Sequence, residues 1–301
     1  EFRRVLFRSD PFVATRVIAF GDGFNYVNSS GAGLSTVRTG ETNNTLAGRI
    51  AERYGIVVKD AATVAGGLVS TGGFSYATAN ATVSGVATLT TGQIDTFLTA
   101  AGGAVSKKDL IIISVGNWDI KAAAATNNTA AIDTATTNLV AAIQRLTAAG
   151  AEHVVVIPSI NMARTPWATG SGISRTTIQN LSNSASTSFN FTLNAKLVNA
   201  YQQDRKPVLL LDPTTDFNSF AGSVDVNGTA VQNFSGVVLN NLATAVCSNN
   251  TALVGCTLAQ LTAGTDYTTA VFADDINVTP VINRYLADRM LLTLHNIGWA
   301  P

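Results

Sequence analysis

Three carboxylates stand in stretches that could do chemistry. Asp22 lies in Phe20-Gly21-Asp22-Gly23-Phe24, and Asp119 in Val115-Gly116-Asn117-Trp118-Asp119-Ile120. Asp274 lies in Phe272-Ala273-Asp274-Asp275-Ile276-Asn277-Val278-Thr279-Pro280. With a histidine and a hydroxyl nearby, such an acid would orient a general base for acyl transfer. The chain has only two histidines. His153 precedes the apolar run Val154–Ile157, at the end of a strand where a site is not expected. His295 falls in the last turn of the final helix, where a cation complements the helix dipole. Both are read as structural. Ser29 and Ser30 follow the first stretch, but no Gly-x-Ser-x-Gly elbow occurs. Converging carboxylates would suit Mg²⁺ or Ca²⁺. The preferred reading instead gives Asp22 and Asp119 to capping of turn N–H groups, and no metal or cofactor is expected.

The two cysteines, Cys247 and Cys256, share a Ser/Asn/Thr-rich loop. Two unrelated thiols are one reading. The preferred one is a local disulfide, contributing about 3 kcal/mol at most and implying an oxidising compartment. No further cysteine and no adjacent histidine supports a metal site.

The elements that must position these residues follow from the apolar pattern. Val17-Ile18-Ala19-Phe20 runs into a Gly-Asp-Gly turn and reads as a buried first strand. Residues 25–45 form a polar loop, then Leu46, Ile50, Ala51 and Tyr54 recur at helical spacing and Gly55 ends the helix. Residues 60–90 are Gly/Ala/Ser/Thr-rich and read as loop. A short helix covers Gln93–Ala101. Leu110-Ile111-Ile112-Ile113-Ser114-Val115 is a strand buried on both faces. A long helix spans about 130–149, and Val154–Ile157 is the next strand. A helix over 182–203, a strand at Val208–Leu211 and an irregular stretch over 214–270 come next. The last helix runs from Thr279-Pro280 to Asn296, opened by N-cap and N1 chemistry. Strands alternate with helices, so the class is α/β with a parallel sheet of about five strands. Glu1–Asp10 matches nothing that follows and reads as a non-native or disordered remnant, and 11–301 as one domain.

The matches run in a family's order. Phe20-Gly21-Asp22-Gly23 resembles block I of the SGNH (GDSL) ester hydrolases, and Phe74-Ser75-Tyr76-Ala77-Thr78-Ala79-Asn80-Ala81 resembles block II. Gly116-Asn117-Trp118-Asp119 resembles block III. The segment from Ile157-Pro158 to Arg164-Thr165-Pro166, with Phe189-Asn190 in the following helix, also fits. Asp274-Asp275-Ile276-Asn277 before Thr279-Pro280 resembles block V. The resemblance implies a flavodoxin-like three-layer α/β/α sandwich, the SGNH hydrolase fold, and activity on carboxyl or acetyl esters. It assigns the nucleophile to position 23, oxyanion donors to 23, 79 and 118, the acid to Asp274 and the base to 277. It places Asp22, Phe24, Asn117 and Trp167 as substrate-binding neighbours.

Four of those positions depart from the family: Gly23 for Ser, Ala79 for Gly, Trp118 for Asn and Asn277 for His. Gly23 has no oxygen to attack a carbonyl, and an amide cannot take and return a proton near neutrality. Loss of either group costs a serine protease about 10⁶ in turnover, so an impaired or inactive hydrolase is expected. The alternative is a non-catalytic binding or structural domain of a secreted protein. Trp118 and Trp167, with Tyr26 and Tyr76, would then line a groove for a sugar or acyl group. The bland reading, which is preferred, has them plug the pocket.

Composition bounds the partners. Of 301 residues, 46% are hydrophobic and 13% charged, with nineteen basic residues balancing nineteen acidic ones. No basic block suggests nucleic acid, and no apolar run reaches the roughly 18–20 residues of a membrane helix. A small ester or acylated carbohydrate ligand, a monomeric state and a secreted or periplasmic location are expected.

Overall fold

The computed structural model describes residues 12–35, 44–64, 67–201, 207–221, 232–234, 237–247, 256 and 258–301. The segment Glu1–Asp10, read above as a remnant, lies outside them. In chain order the elements are β1 (Arg16–Gly21), α1 (Leu46–Glu52), β2 (Val58–Asp60), β3 (Gly72–Ser75), α2 (Val83–Ala87) and α3 (Gln93–Ala100). Then follow β4 (Asp109–Ser114), α4 (Asn117–Ala124), α5 (Thr129–Ala148), β5 (Val154–Ile157), α6 (Pro166–Gly170), α7 (Arg175–Gln179) and α8 (Phe189–Tyr201). The chain ends with β6 (Val208–Leu210), α9 (Thr214–Ala221), β7 (Gln232–Phe234), β8 (Val237–Leu239) and α10 (Pro280–Asn296).

β1 to β6 form one parallel sheet in the order β2-β3-β1-β4-β5-β6. Every residue of β1, β4 and β5 is buried, because helices cover both faces and the strands are β-branched runs. α1 packs on α10, while α2, α3, α5 and α8 pack among themselves. The chain leaves β1 toward one edge and returns past it to β4, and the right-handed rule for parallel crossovers assigns these two groups to opposite faces.

The sheet has six strands in place of about five. The additional pairing comes from β2 and β3, the latter inside the 60–90 stretch read as loop. They are short and β3 begins Gly-Gly, so they lack the apolar run that marks a central strand. Close contact replaces bulk there: a Cβ on Gly73 would stand 2.7 Å from the Val57 carbonyl oxygen and 2.8 Å from Val58 Cα. Two other expectations are corrected. The helix read over 182–203 begins only at Phe189, after a π-turn at Asn180–Ser184 and a break. The stretch 214–270 is not wholly irregular, since it contains α9 and the antiparallel β7–β8 pair.

At the amino edge of the sheet, Arg16 and Asp109 face each other in register. They form a buried two-point ion pair, Nε to Oδ1 at 2.7 Å and Nη2 to Oδ2 at 2.5 Å. His153 lies at this same end, stacked on Phe12 and edge-on to Trp299. Burial lowers its pKa. His295 occupies the last turn of α10. Neither histidine faces the carboxyl end of the sheet.

Candidate functional site

β1 and β4 are neighbours, yet the connections leaving them diverge to opposite edges. This is a topological switch point, and α/β sheets open a crevice outside the strand carboxyl ends there. The two segments that leave it are Gly21-Asp22-Gly23 and Val115-Gly116-Asn117-Trp118.

Gly21 is required by its backbone. It has φ +122°, and a Cβ on it would stand 1.7 Å from the Ser114 carbonyl oxygen, so no side chain fits. Gln93, at the start of α3, locks it from the side: Gly21 N–H donates to Oε1 at 2.7 Å, and Nε2 donates back to Gly21 O at 3.0 Å. Thr78 N–H also donates to Gly21 O, which sets Ala79, one residue on, beside the turn.

Asp22 is 1% exposed. Its Oδ1 accepts from Phe24 N–H at 3.3 Å, and its Oδ2 accepts from Asn117 Nδ2 at 3.1 Å. Asn117 Oδ1 accepts in turn from Ser159 Oγ and Ile160 N–H. Burial pushes the Asp22 carboxyl up to about 7, although these hydrogen bonds pull it down. Asp119 accepts from Val83 N–H with both oxygens and is raised by burial to about 6. Both acids therefore hold backbone turns. Asp22, Phe24 and Asn117 are buried and engaged with one another or the core, which makes them the floor of the crevice.

The turn at 274–277 closes the other side. Asp274 Oδ1 accepts from the N–H groups of Ile276 and Asn277, and Oδ2 accepts from Asn277 Nδ2 at 2.8 Å. Burial raises the Asp274 carboxyl despite those donors. The Asn277 amide is thereby fixed with its oxygen toward Gly23. A Cβ on Gly23 would stand 2.1 Å from Asn277 Oδ1 and 2.8 Å from Leu34 Cδ1. Residues 23, 274 and 277 thus meet in space, far apart as they are in sequence.

Trp118 follows Asn117 in the first turn of α4, so the Asp22–Asn117 bond brings it to the same place. Its indole Nε1 is buried without a partner. Lys121 Nζ lies 4.4 Å from the centroid of the Trp118 ring and 5.8 Å from that of Trp167. Trp167 N–H donates to Asp275 O at 3.1 Å. These contacts run as a series from Gly23 through Asn277, Asp274, Asp275, Trp167 and Lys121 to Trp118. Both tryptophans are half-buried and packed on the core. Tyr76 packs with Phe20 and Phe97 beneath β1, as core.

Beside Trp167 lies an open groove of about 590 Å³, lined by Trp167, Thr169, Ser171, Thr244, Thr262 and Asp275. Another, of about 670 Å³, lies at the amino end with His153, Glu152 and Trp299, away from these carboxylates. Among the described residues no group of three His, Cys, Asp or Glu side chains could hold a metal ion. No helix of the described residues is long and apolar enough to cross a membrane. Cys247 and Cys256 form a disulfide with Cα atoms 6.2 Å apart.

Several members of the site do not show in their own stretch of sequence. Gln93, Ser159 and Leu34 act across long separations. Lys121 carried one local signal, its place three residues after Trp118 on a helix, where side chains share a face.

No family model matches the chain, and no curated protein matches it. Solved structures do. An acetyl xylan esterase is 14% identical with a TM-score of 0.46, covering 93% of this chain and 99% of its own. A possible lipase from Chitinophaga pinensis is 10% identical with a TM-score of 0.47, covering 95% and 99%. The YXIM protein of Bacillus subtilis is 11% identical with a TM-score of 0.47, covering 95% of this chain. The chain spans only 57% of the length of that protein. At these identities and scores the likenesses carry no argument about the site, which stands on its own geometry.

Proposed function

We propose that this chain is an ester-hydrolase scaffold of the SGNH type whose acyl-transfer chemistry is disabled at its own site. One observation carries the reading. The space where a side chain on residue 23 would begin is filled by the Asn277 amide, and Asp274 holds that amide in place. A histidine held the same way by Asp274 would present its far nitrogen to residue 23, the relation an acyl-transfer triad requires. The Gly23 and Ala79 N–H groups make no hydrogen bond among the described residues. They are the backbone donors an oxyanion would use. What the site lacks is a hydroxyl to attack the ester carbonyl and a base to take its proton.

The ligand class is a small carboxyl or acetyl ester, including an acylated carbohydrate. The domain runs from residue 11 to 301 as a monomer, outside the cytosol, where the Cys247–Cys256 disulfide persists. A second reading, recognition without turnover, is favoured by the Trp118–Lys121–Trp167 stack and the groove beside it.

The test compares hydrolysis of p-nitrophenyl acetate by the parent and by the variant Gly23→Ser/Asn277→His, with a fluorophosphonate probe as the covalent readout. The parent is expected to be inert and unlabelled. Activity and labelling in the variant would show that the geometry outlived the chemistry. An inert variant that remains folded favours recognition, with Trp118 closing the pocket. Labelling of the parent would overturn the assignment of position 23.

A further inference from the structure

The Asp274–Asn277 turn rests on two different supports. Val271, Phe272, Ile276 and Val278 sink into the main core, and Phe272 bridges to Val278. Ala270 and Ala273 belong instead to a second cluster with Val246, Cys247 and Cys256, edged by Leu261 and Tyr267. The two segments are laced by backbone bonds. Val246 N–H donates to Phe272 O at 3.1 Å, and Cys247 N–H donates to Ala273 O at 3.0 Å. Ala273 N–H then donates to Asn277 O at 2.8 Å, which closes the turn. Cys247 is thus bonded to the residue directly before Asp274, on the side away from the main core.

Among the described residues this second cluster is small, with Val246, Ala270 and Ala273 its buried apolar members other than the cysteines. Burial of so few methyl groups gives little cohesion, so the cross-link joins the backbone bonds in tying the cluster to the turn. Both cysteines are buried, at 2% and 1% exposure. Cys247 also borders the groove beside Trp167.

We infer that the Cys247–Cys256 disulfide positions the Asp274–Asn277 turn, and that the candidate site is therefore redox-sensitive. A dithiol reductant opens it in two exchanges. One thiolate attacks a cysteine sulfur and forms a mixed disulfide, and the second thiol displaces the remaining cysteine. The products are two protein thiols and the oxidised reductant. Segment 245–247 then keeps its backbone bonds to Phe272, Ala273 and Thr262 but loses its covalent tie, and the turn is held more loosely on that side. This inference concerns the turn itself and stands whether or not the scaffold hydrolyses esters.

The experiment is amide hydrogen exchange on the parent with and without dithiothreitol, and on Cys247→Ser/Cys256→Ser without it. Alkylation reports the thiol state. Protection at Ala273, Ile276 and Asn277 is expected to fall at least about tenfold in both the reduced parent and the variant. Amides of Ile111, Ile112 and Ile113 in β4 should be unchanged, and reoxidation of the parent should restore the turn. Unchanged protection at 273, 276 and 277 with both thiols alkylated overturns the inference. Equal loss in β4 also overturns it, because the bond would then support the fold at large. If the buried bond resists the reductant, the serine variant alone decides.

Discussion

Adding one methyl group at Gly23 tests the geometry of the site without any appeal to activity. In Gly23→Ala the new Cβ would meet Asn277 Oδ1 at 2.1 Å and Leu34 Cδ1 at 2.8 Å, where ordinary contact is 3.4–4 Å. The leucine end can turn aside. The amide cannot do so freely, because Asp274 Oδ2 holds its Nδ2 at 2.8 Å. Overpacking of this kind costs about 1–3 kcal/mol. Asn277→Ala alone removes a hydrogen bond to a buried carboxylate, about 1.5–3 kcal/mol, but leaves the two backbone donors to Asp274 Oδ1 in place. In the double variant the methyl enters vacated space, so the two costs should not add. A favourable coupling of about 1–2 kcal/mol is expected. Urea unfolding of the four proteins gives it from midpoints at constant slope. Additive costs, or a Gly23→Ala variant as stable as the parent, would refute the placement of Asn277 against Gly23.

Two further outcomes follow from buried charge. Asp22 has its folded pKa raised to about 7, so the native state binds more protons than the unfolded state between about pH 4 and 7. Its contribution to stability therefore falls as pH rises through that window, by up to about 4 kcal/mol. Below the window the carboxyl is protonated in both states, and above it ionised in both. A carbon chemical-shift titration of Asp22 should show a midpoint near 7, and a midpoint below about 5 would remove the argument. At the opposite end of the sheet, Asp109→Ala leaves the Arg16 guanidinium buried and unpaired and should cost about 3–5 kcal/mol. Thermal denaturation measures it, and a loss under about 1 kcal/mol would mean that water already reaches the pair.

Much of the scaffold could be read in advance because its central strands are buried on both faces. Val17–Phe20, Leu110–Ile113 and Val154–Ile157 are apolar runs for that reason, the edge strand Val208–Leu210 is apolar though only partly buried, and their order with the helices fixes the class. β2 and β3 stayed hidden because close backbone approach at Gly73, rather than side-chain bulk, holds them together. The helix read from 182 begins at Phe189 because 182–188 is a Ser/Thr/Asn-rich run, and the apolar face starts only with Phe189, Leu193 and Leu197. In the site, Asp274 and Asn277, three positions apart in one turn, were legible together through the resemblance to block V. The Asn117–Ser159 link and the Gln93 lock on Gly21 were not, since each joins elements that only the fold brings together.

The site separates into a floor that must be kept and a mouth that can change. Asp22, Asn117 and Ser159 satisfy one another in a buried chain, and removing Asp22 or Asn117 strands a polar group away from water. That demand is structural and holds whether or not an ester is ever cleaved. Asn277 also meets such a demand, donating to the buried Asp274 carboxylate, and it fits Gly23 besides: the missing Cβ at one makes room for the amide at the other. Serine placed alone at 23 collides with that amide, and histidine placed alone at 277 has no hydroxyl to activate. On the function proposed above, gain of acyl transfer therefore requires both changes together.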